Sequence, residues 1–130
     1  MKYYFSKVLA GKTFDEAVER VTEELKKEGF GVLTEIDVQA TFKKKLDVDF
    51  KKYKILGACN PQFAYQSITS EDKIGVFLPC TVVVEENPGG EVEVSAVDPV
   101  ASMMSVQNDA LGATAGEVRQ KLIRVIENLN

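Results

Sequence analysis

Tyr53-Lys54-Ile55-Leu56-Gly57-Ala58-Cys59-Asn60-Pro61 decides how the chain folds. A short apolar run ending at a glycine suits a buried strand, which the pattern places at 53–58. Asn60 follows as a helix N-cap, since its side-chain oxygen accepts a free N–H of the first turn. Pro61 suits the first helical position, where no N–H is needed. The stretch therefore predicts a strand turning directly into a helix that runs to about Thr69, burying Phe63, Ala64 and Ile68. Cys59 falls on the junction and has two readings. A helix N-terminus lowers a thiol pKa and makes it a better nucleophile. An unpaired cysteine is also among the residue types most often buried, and a small apolar residue fits a tight junction.

Beyond the polar turn Ser70-Glu71-Asp72-Lys73, the strongest strand pattern runs from Ile74 to Glu85. Val76, Leu78, Cys80, Val82 and Val84 share one face by alternation, and Pro79 makes this strand an edge, a bulge or a kink. Asn87-Pro88-Gly89-Gly90 turns the chain, and Glu91 to Val97 returns with Val92, Val94 and Ala96 inward. Matching apolar faces sets Val84 opposite Val92, Val82 opposite Val94 and Cys80 opposite Ala96. Asp98-Pro99 repeats the cap-and-proline logic and predicts a short helix through Met103 and Met104, which read as adaptable core filler.

Toward the N-terminus, residues 2–9 read as a strand. Thr13 and Glu16 form a capping box for a helix whose apolar face is Phe14, Ala17, Val18, Val21 and Leu25, closed by Gly29. The pairs Glu16–Arg20 and Glu23–Lys27 support its wet side. Phe30 to Ile36 is the second strand, and Asp37 caps a shorter helix with Val38, Phe42 and Leu46 on one face. At the C-terminal end, 107–113 reads as a loop. Thr114 and Glu117 form a second capping box, with a Glu117–Lys121 pair, and Val118, Leu122, Val125, Ile126 and Leu129 form the stripe of the final helix.

Long one-sided helices at both ends of a run of alternating strands give an α+β domain with helices packed on one face of a mostly antiparallel sheet. The strand–helix–strand unit 53–85 leaves a mixed sheet as the alternative, with its two strands parallel and both thiols toward the same end. The 130 residues, 45% hydrophobic and 28% charged, suit one domain spanning 1–130.

Composition narrows the chemistry. The chain has no histidine, which removes Ser-His-Asp and Cys-His catalysis and every imidazole metal ligand. Cys59 and Cys80 make neither a CxxC pair nor a disulfide framework. No metal or other cofactor is implied within one chain; four thiolates meet only if two chains share a site. A net charge of −4 argues against nucleic acid. Lys43, Lys44, Lys45, Lys51, Lys52 and Lys54 crowd one segment, but Asp47 and Asp49 interrupt it, so it reads as a solvated face. No apolar run is long enough to span a bilayer, and Met1-Lys2-Tyr3-Tyr4-Phe5 lacks the long apolar core of a signal peptide, so the expectation is a cytoplasmic protein without membrane partners.

Gly57-Ala58-Cys59-Asn60-Pro61, Leu78-Pro79-Cys80 and Asp98-Pro99, in this order, resemble the landmarks of the family catalogued as domain of unknown function 302, small bacterial and archaeal proteins, and Lys27-Glu28-Gly29-Phe30 at the end of the first helix also fits. The resemblance runs nearly the whole length. It implies an α+β fold with helices on one side of an antiparallel sheet, and it marks Cys59, Asn60, Pro61, Pro79, Cys80, Asp98 and Pro99. It carries no reaction.

Two functions follow as expectations. One is a binding or interaction module for a small-molecule or anionic ligand, or for a second copy in a homodimer, with Cys59, Asn60, Pro61, Cys80 and Asp98 as the ligand-binding candidates. Helix N-terminal N–H groups at Cys59-Asn60 suit an anion or a carboxylate. The other is thiol-dependent sulfur or redox transfer, with Cys59 as nucleophile and Cys80 as its partner.

Overall fold

The computed structural model describes residues 2–130 and shows one α+β domain. Its strands are β1 (Tyr4–Leu9), β2 (Gly31–Asp37), β3 (Tyr53–Cys59), β4 (Cys80–Glu86) and β5 (Val92–Val97), and its helices are α1 (Phe14–Lys27), α2 (Val38–Leu46), α3 (Pro61–Ser70), α4 (Pro99–Ser102) and α5 (Asp109–Glu127). The sheet order is β1-β5-β4-β3-β2, and every neighbouring pair is antiparallel. The mixed-sheet alternative is thus excluded. α3 links two adjacent antiparallel strands, β3 and β4, and is no crossover between parallel ones.

The core lies between one sheet face and the two long helices. Leu9, Leu56, Val82, Val84, Val92 and Val94 project from the strands onto Ala17, Val21 and Leu25 of α1 and Val118, Leu122 and Val125 of α5. α1 packs on β4 and β5, α5 packs on β1 and β5, and the helices touch each other. The Thr13–Glu16 capping box forms as expected, with both reciprocal bonds present. Gly29 adopts φ +85°, the left-handed conformation that ends α1. The wet-side pairs differ from expectation: Arg20 reaches Glu23 and Glu24, and Lys27 also turns to Glu24, because the largely buried Glu24 carboxylate gathers both cations. From β1, Lys7 donates to the carbonyls of Glu127 and Leu129, covering the carbonyl end of α5.

Several local expectations are corrected. Ile74 to Phe77 belongs to a 3-10 helix, Asp72–Phe77, and not to a strand. The β3 ladder ends where Ala58 meets Cys80, so residues before Cys80 have no partner strand and satisfy themselves locally, as in Leu78 N–H to Gly75 carbonyl at 3.1 Å. Ile74 is buried but Val76 is 81% exposed. The β4–β5 register is two residues from that expected: Val84 faces Val94, Val82 faces Ala96 and Glu86 faces Val92. A two-residue slip keeps every side chain on its own face, so patterning alone did not distinguish the registers. The turn chose, through Asn87 N–H to Glu91 carbonyl at 2.7 Å and Gly90 N–H to Asn87 carbonyl at 2.8 Å.

α5 is capped six residues earlier than its Thr114–Glu117 signal. Asn108 is its N-cap and Thr114 lies inside the helix, its hydroxyl donating to the Ala110 carbonyl. Lys121 lies 3.9 Å from Glu28, an ion-pair distance to a residue outside the expected Glu117 pair. α2 forms on its Asp37 cap as expected, yet none of its residues is buried; Phe42 meets Phe50 of the following loop edge-to-face. α4 is one turn, with Met103 at its C-cap and Met104 60% exposed, so Met104 is not core filler.

Candidate functional site

The junction at Cys59 folds as its residues dictate. Asn60 caps α3 by accepting from the Phe63 N–H at 3.4 Å, and its amide donates to the Glu28 carbonyl at 3.4 Å. One side chain thus ties the start of α3 to the end of α1. A Cβ on Gly29 would stand 3.0 Å from that amide nitrogen, so the glycine serves both the left-handed turn and this close approach.

Beside the junction, at the end of the sheet, lies a cavity of about 250 Å³. Its strand wall is Ala58, Cys59 and Cys80; α3 contributes Phe63, Ala64, Ser67 and Ile68; α5 contributes Thr114, Ala115 and Val118. Leu78, Pro79, Pro99 and Met103 close one side, with Phe30 and Leu33 on another. Pro79 follows a cis peptide bond. Leu33 sits at a register shift between Val32 and Thr34, where an extra residue re-aims the strand. Among the described residues no Asp, Glu, Lys or Arg lines this cavity.

The two cysteines come onto adjacent strands at this cavity by a route other than the parallel one. Cys80 pairs directly with Ala58, so Cys59 stands one residue along the adjacent strand, where alternation turns its side chain toward the opposite sheet face. Both are unbonded and half-buried. Burial, and secondarily charge on Cys59, pushes the Cys80 thiol from its ordinary 9.0 up to about 11. The fold therefore favours the neutral thiol. That contribution is complete below the ordinary thiol value and is lost as pH rises from about 9 toward 11. Iodoacetamide should accordingly leave Cys80 largely unmodified in native protein at pH 8 and label it progressively toward pH 11. Mass mapping checks this, and labelling at pH 8 at the rate of the unfolded chain would contradict it.

The remaining candidates separate. Asn60 lines this cavity, whereas Pro61 lines a neighbouring polar groove with Lys27, Glu28, Gln62 and Lys121. In that groove Lys27 is paired with Glu24, and Glu28 with Arg124 at 2.9 Å. Asp98 lies on neither wall. Its carboxylate caps α4 through the Val100 and Ala101 N–H groups and pairs with Arg119 at 3.2 Å. The anion expectation also weakens at the helix end, because Pro61 has no N–H and the Phe63 N–H is taken by Asn60. Sequence reasoning missed Leu33, Ser67, Thr114 and Ala115 as wall residues. The small residues Ala64 and Ala115 on facing helices were the signal, but only the α3–α5 packing turns them into a cavity.

A single α+β domain, with two long helices on one face of a five-stranded antiparallel sheet and a thiol-bearing apolar cavity at the sheet end, is the class that fold and site define. Residues 5–129 match the family described as "Domain of unknown function DUF302", and the chain belongs to that family. It is similar to a crystal structure of an uncharacterized conserved DUF302 protein from Bacillus stearothermophilus at 27% identity, with all of both chains covered and a TM-score of 0.92. No curated protein matches the chain.

Proposed function

We propose that the protein is a small-molecule binding module whose cavity takes a neutral, largely apolar ligand smaller than a typical drug. The observation that carries this reading is a preformed cavity of about 250 Å³ with no charged side chain in its wall. Burying an ion there would cost several kcal/mol with nothing to offset it. An apolar ligand leaves its water and finds aliphatic and aromatic walls, with the Ser67 hydroxyl among the few polar points that orient it. Two unbonded cysteines suit a reducing compartment, which supports a cytoplasmic setting.

Titration with indole, a neutral aromatic of suitable size, tests the reading by methyl NMR. Shifts are expected at Ala58, Ala64, Ala115 and Val118. Ala64→Leu, which fills the space, should weaken binding by roughly tenfold or more while the protein stays folded. Absence of shifts at these four methyls, or unchanged affinity in Ala64→Leu, would refute the assignment.

Thiol-dependent sulfur or redox transfer is the second reading, favoured by the presence of both cysteines among the residues that line the cavity. The raised Cys80 value makes Cys80 the resolving rather than the attacking thiol. Replacing either cysteine by serine would end such transfer.

A further inference from the structure

We infer, taking the cavity as a binding site, that Ser67 determines its specificity. The ligand is a neutral amphiphile with one hydroxyl or carbonyl group, which it sets on the Ser67 hydroxyl, while its hydrocarbon body extends toward the mouth. Ser67 lies on α3 with 5% of its surface exposed, and it lines the cavity. Other hydroxyls nearby are used locally. Thr69 donates to the Tyr65 carbonyl, and Thr114, on the α5 wall, donates to the Ala110 carbonyl. Ser67 makes no such bond among the described residues. No side-chain oxygen or nitrogen among them is both sealed off and without a partner. The unbonded Ser67 oxygen is therefore open to the cavity that it lines.

A buried hydroxyl without a partner costs stability, and alanine would serve apolar packing better. The hydroxyl both donates and accepts, so it suits a ligand hydroxyl or a ligand carbonyl. The other polar points on the wall are committed or weak. The Asn60 amide already holds the Glu28 carbonyl and the Phe63 N–H, and a neutral thiol such as Cys80 is a poor donor. The wall is also graded from inside to outside. Phe30, Ala58, Ser67 and Ala115 are buried, whereas Leu33 is 67% exposed and Ile68 is exposed as well, so the cavity opens between β2 and α3. A ligand entering there leads with its polar group and leaves its hydrocarbon against Leu33 and Ile68. A charged group in the same position finds no counter-ion, since no Asp, Glu, Lys or Arg among the described residues lines the wall.

The test compares 4-methylphenol with 1,4-dimethylbenzene, which differ only by a hydroxyl against a methyl, in methyl NMR titrations of the full-length protein. Both should shift the Ala58, Ala64 and Ala115 methyls. In Ser67→Ala the ratio of the two affinities should move against the phenol by at least about tenfold. Ser67→Cys keeps the volume but hydrogen-bonds weakly, and it should move the ratio the same way, so that a change of cavity size is not read as lost recognition. Wild-type protein should bind 4-ethylphenol at least as tightly as 4-methylphenol, because the added carbon lies toward the mouth. Thermal unfolding checks that each variant is folded. An unchanged ratio in either folded variant, as a serine that only holds water would give, or exclusion of 4-ethylphenol, would overturn the assignment and leave the cavity as a binding site. If neither compound shifted those methyls, the binding site itself would fall, and the role of Ser67 with it.

Discussion

Leu122→Ala lowers the unfolding free energy by about 2–5 kcal/mol, and Leu25→Ala does the same. Both leucines have 0% exposure, and they sit on the facing stripes of α5 and α1 against the central strands. Truncation removes the transfer energy of the lost carbons and leaves a hole that close-packed neighbours such as Val82, Val94 and Val125 fill only in part. Leu46→Ala is the internal control. Leu46 is 66% exposed on α2, so its truncation should change stability by no more than about 0.5 kcal/mol. Urea denaturation of the three variants measures all of this. If Leu25→Ala and Leu122→Ala matched Leu46→Ala, the helices would not form the core.

Gly57→Ala is expected to destabilise by about 1–3 kcal/mol, as overpacking does. A Cβ at Gly57 would collide with the Thr34 hydroxyl oxygen and stand 2.9 Å from the Pro79 ring. The Thr34 hydroxyl can rotate away, but the proline ring has no rotamer to escape into. The double variant Gly57→Ala/Thr34→Ala should therefore recover part of the loss and not all of it. Pro79 also lines the cavity, so Gly57→Ala should perturb the methyl resonances of Ala58 and Ala64 as well. Wild-type stability together with unshifted cavity methyls would show that no close packing exists between β2, β3 and the Pro79 loop.

Both predictions rest on residues whose local roles were legible, but the legibility was uneven. α1 was readable to its ends because Thr13, Glu16 and Gly29 satisfy its termini within the same segment. α5 was not, since Asn108 caps it while also donating to the Ser70 carbonyl and the Glu71 carboxylate, 38 and 37 positions away. Local signals at Thr114 and Glu117 matched a cap pattern, but burial of Leu111 and Ala115 extended the helix through them.

The sequence by itself determined the α+β class, the strand-to-helix junction at Cys59 and Asn60, and the apolar stripes of the two long helices. These follow from periodicity and from hydrogen bonds made within a few residues. Tertiary structure decided which strands are neighbours, the β4–β5 register, the end of the β4 ladder at Cys80, and the cavity between the sheet end, α3 and α5. Each of these depends on contacts between segments far apart in the chain. A side-chain pattern of period two is identical for parallel and antiparallel partners and for registers two residues apart, so only the assembled packing distinguishes them.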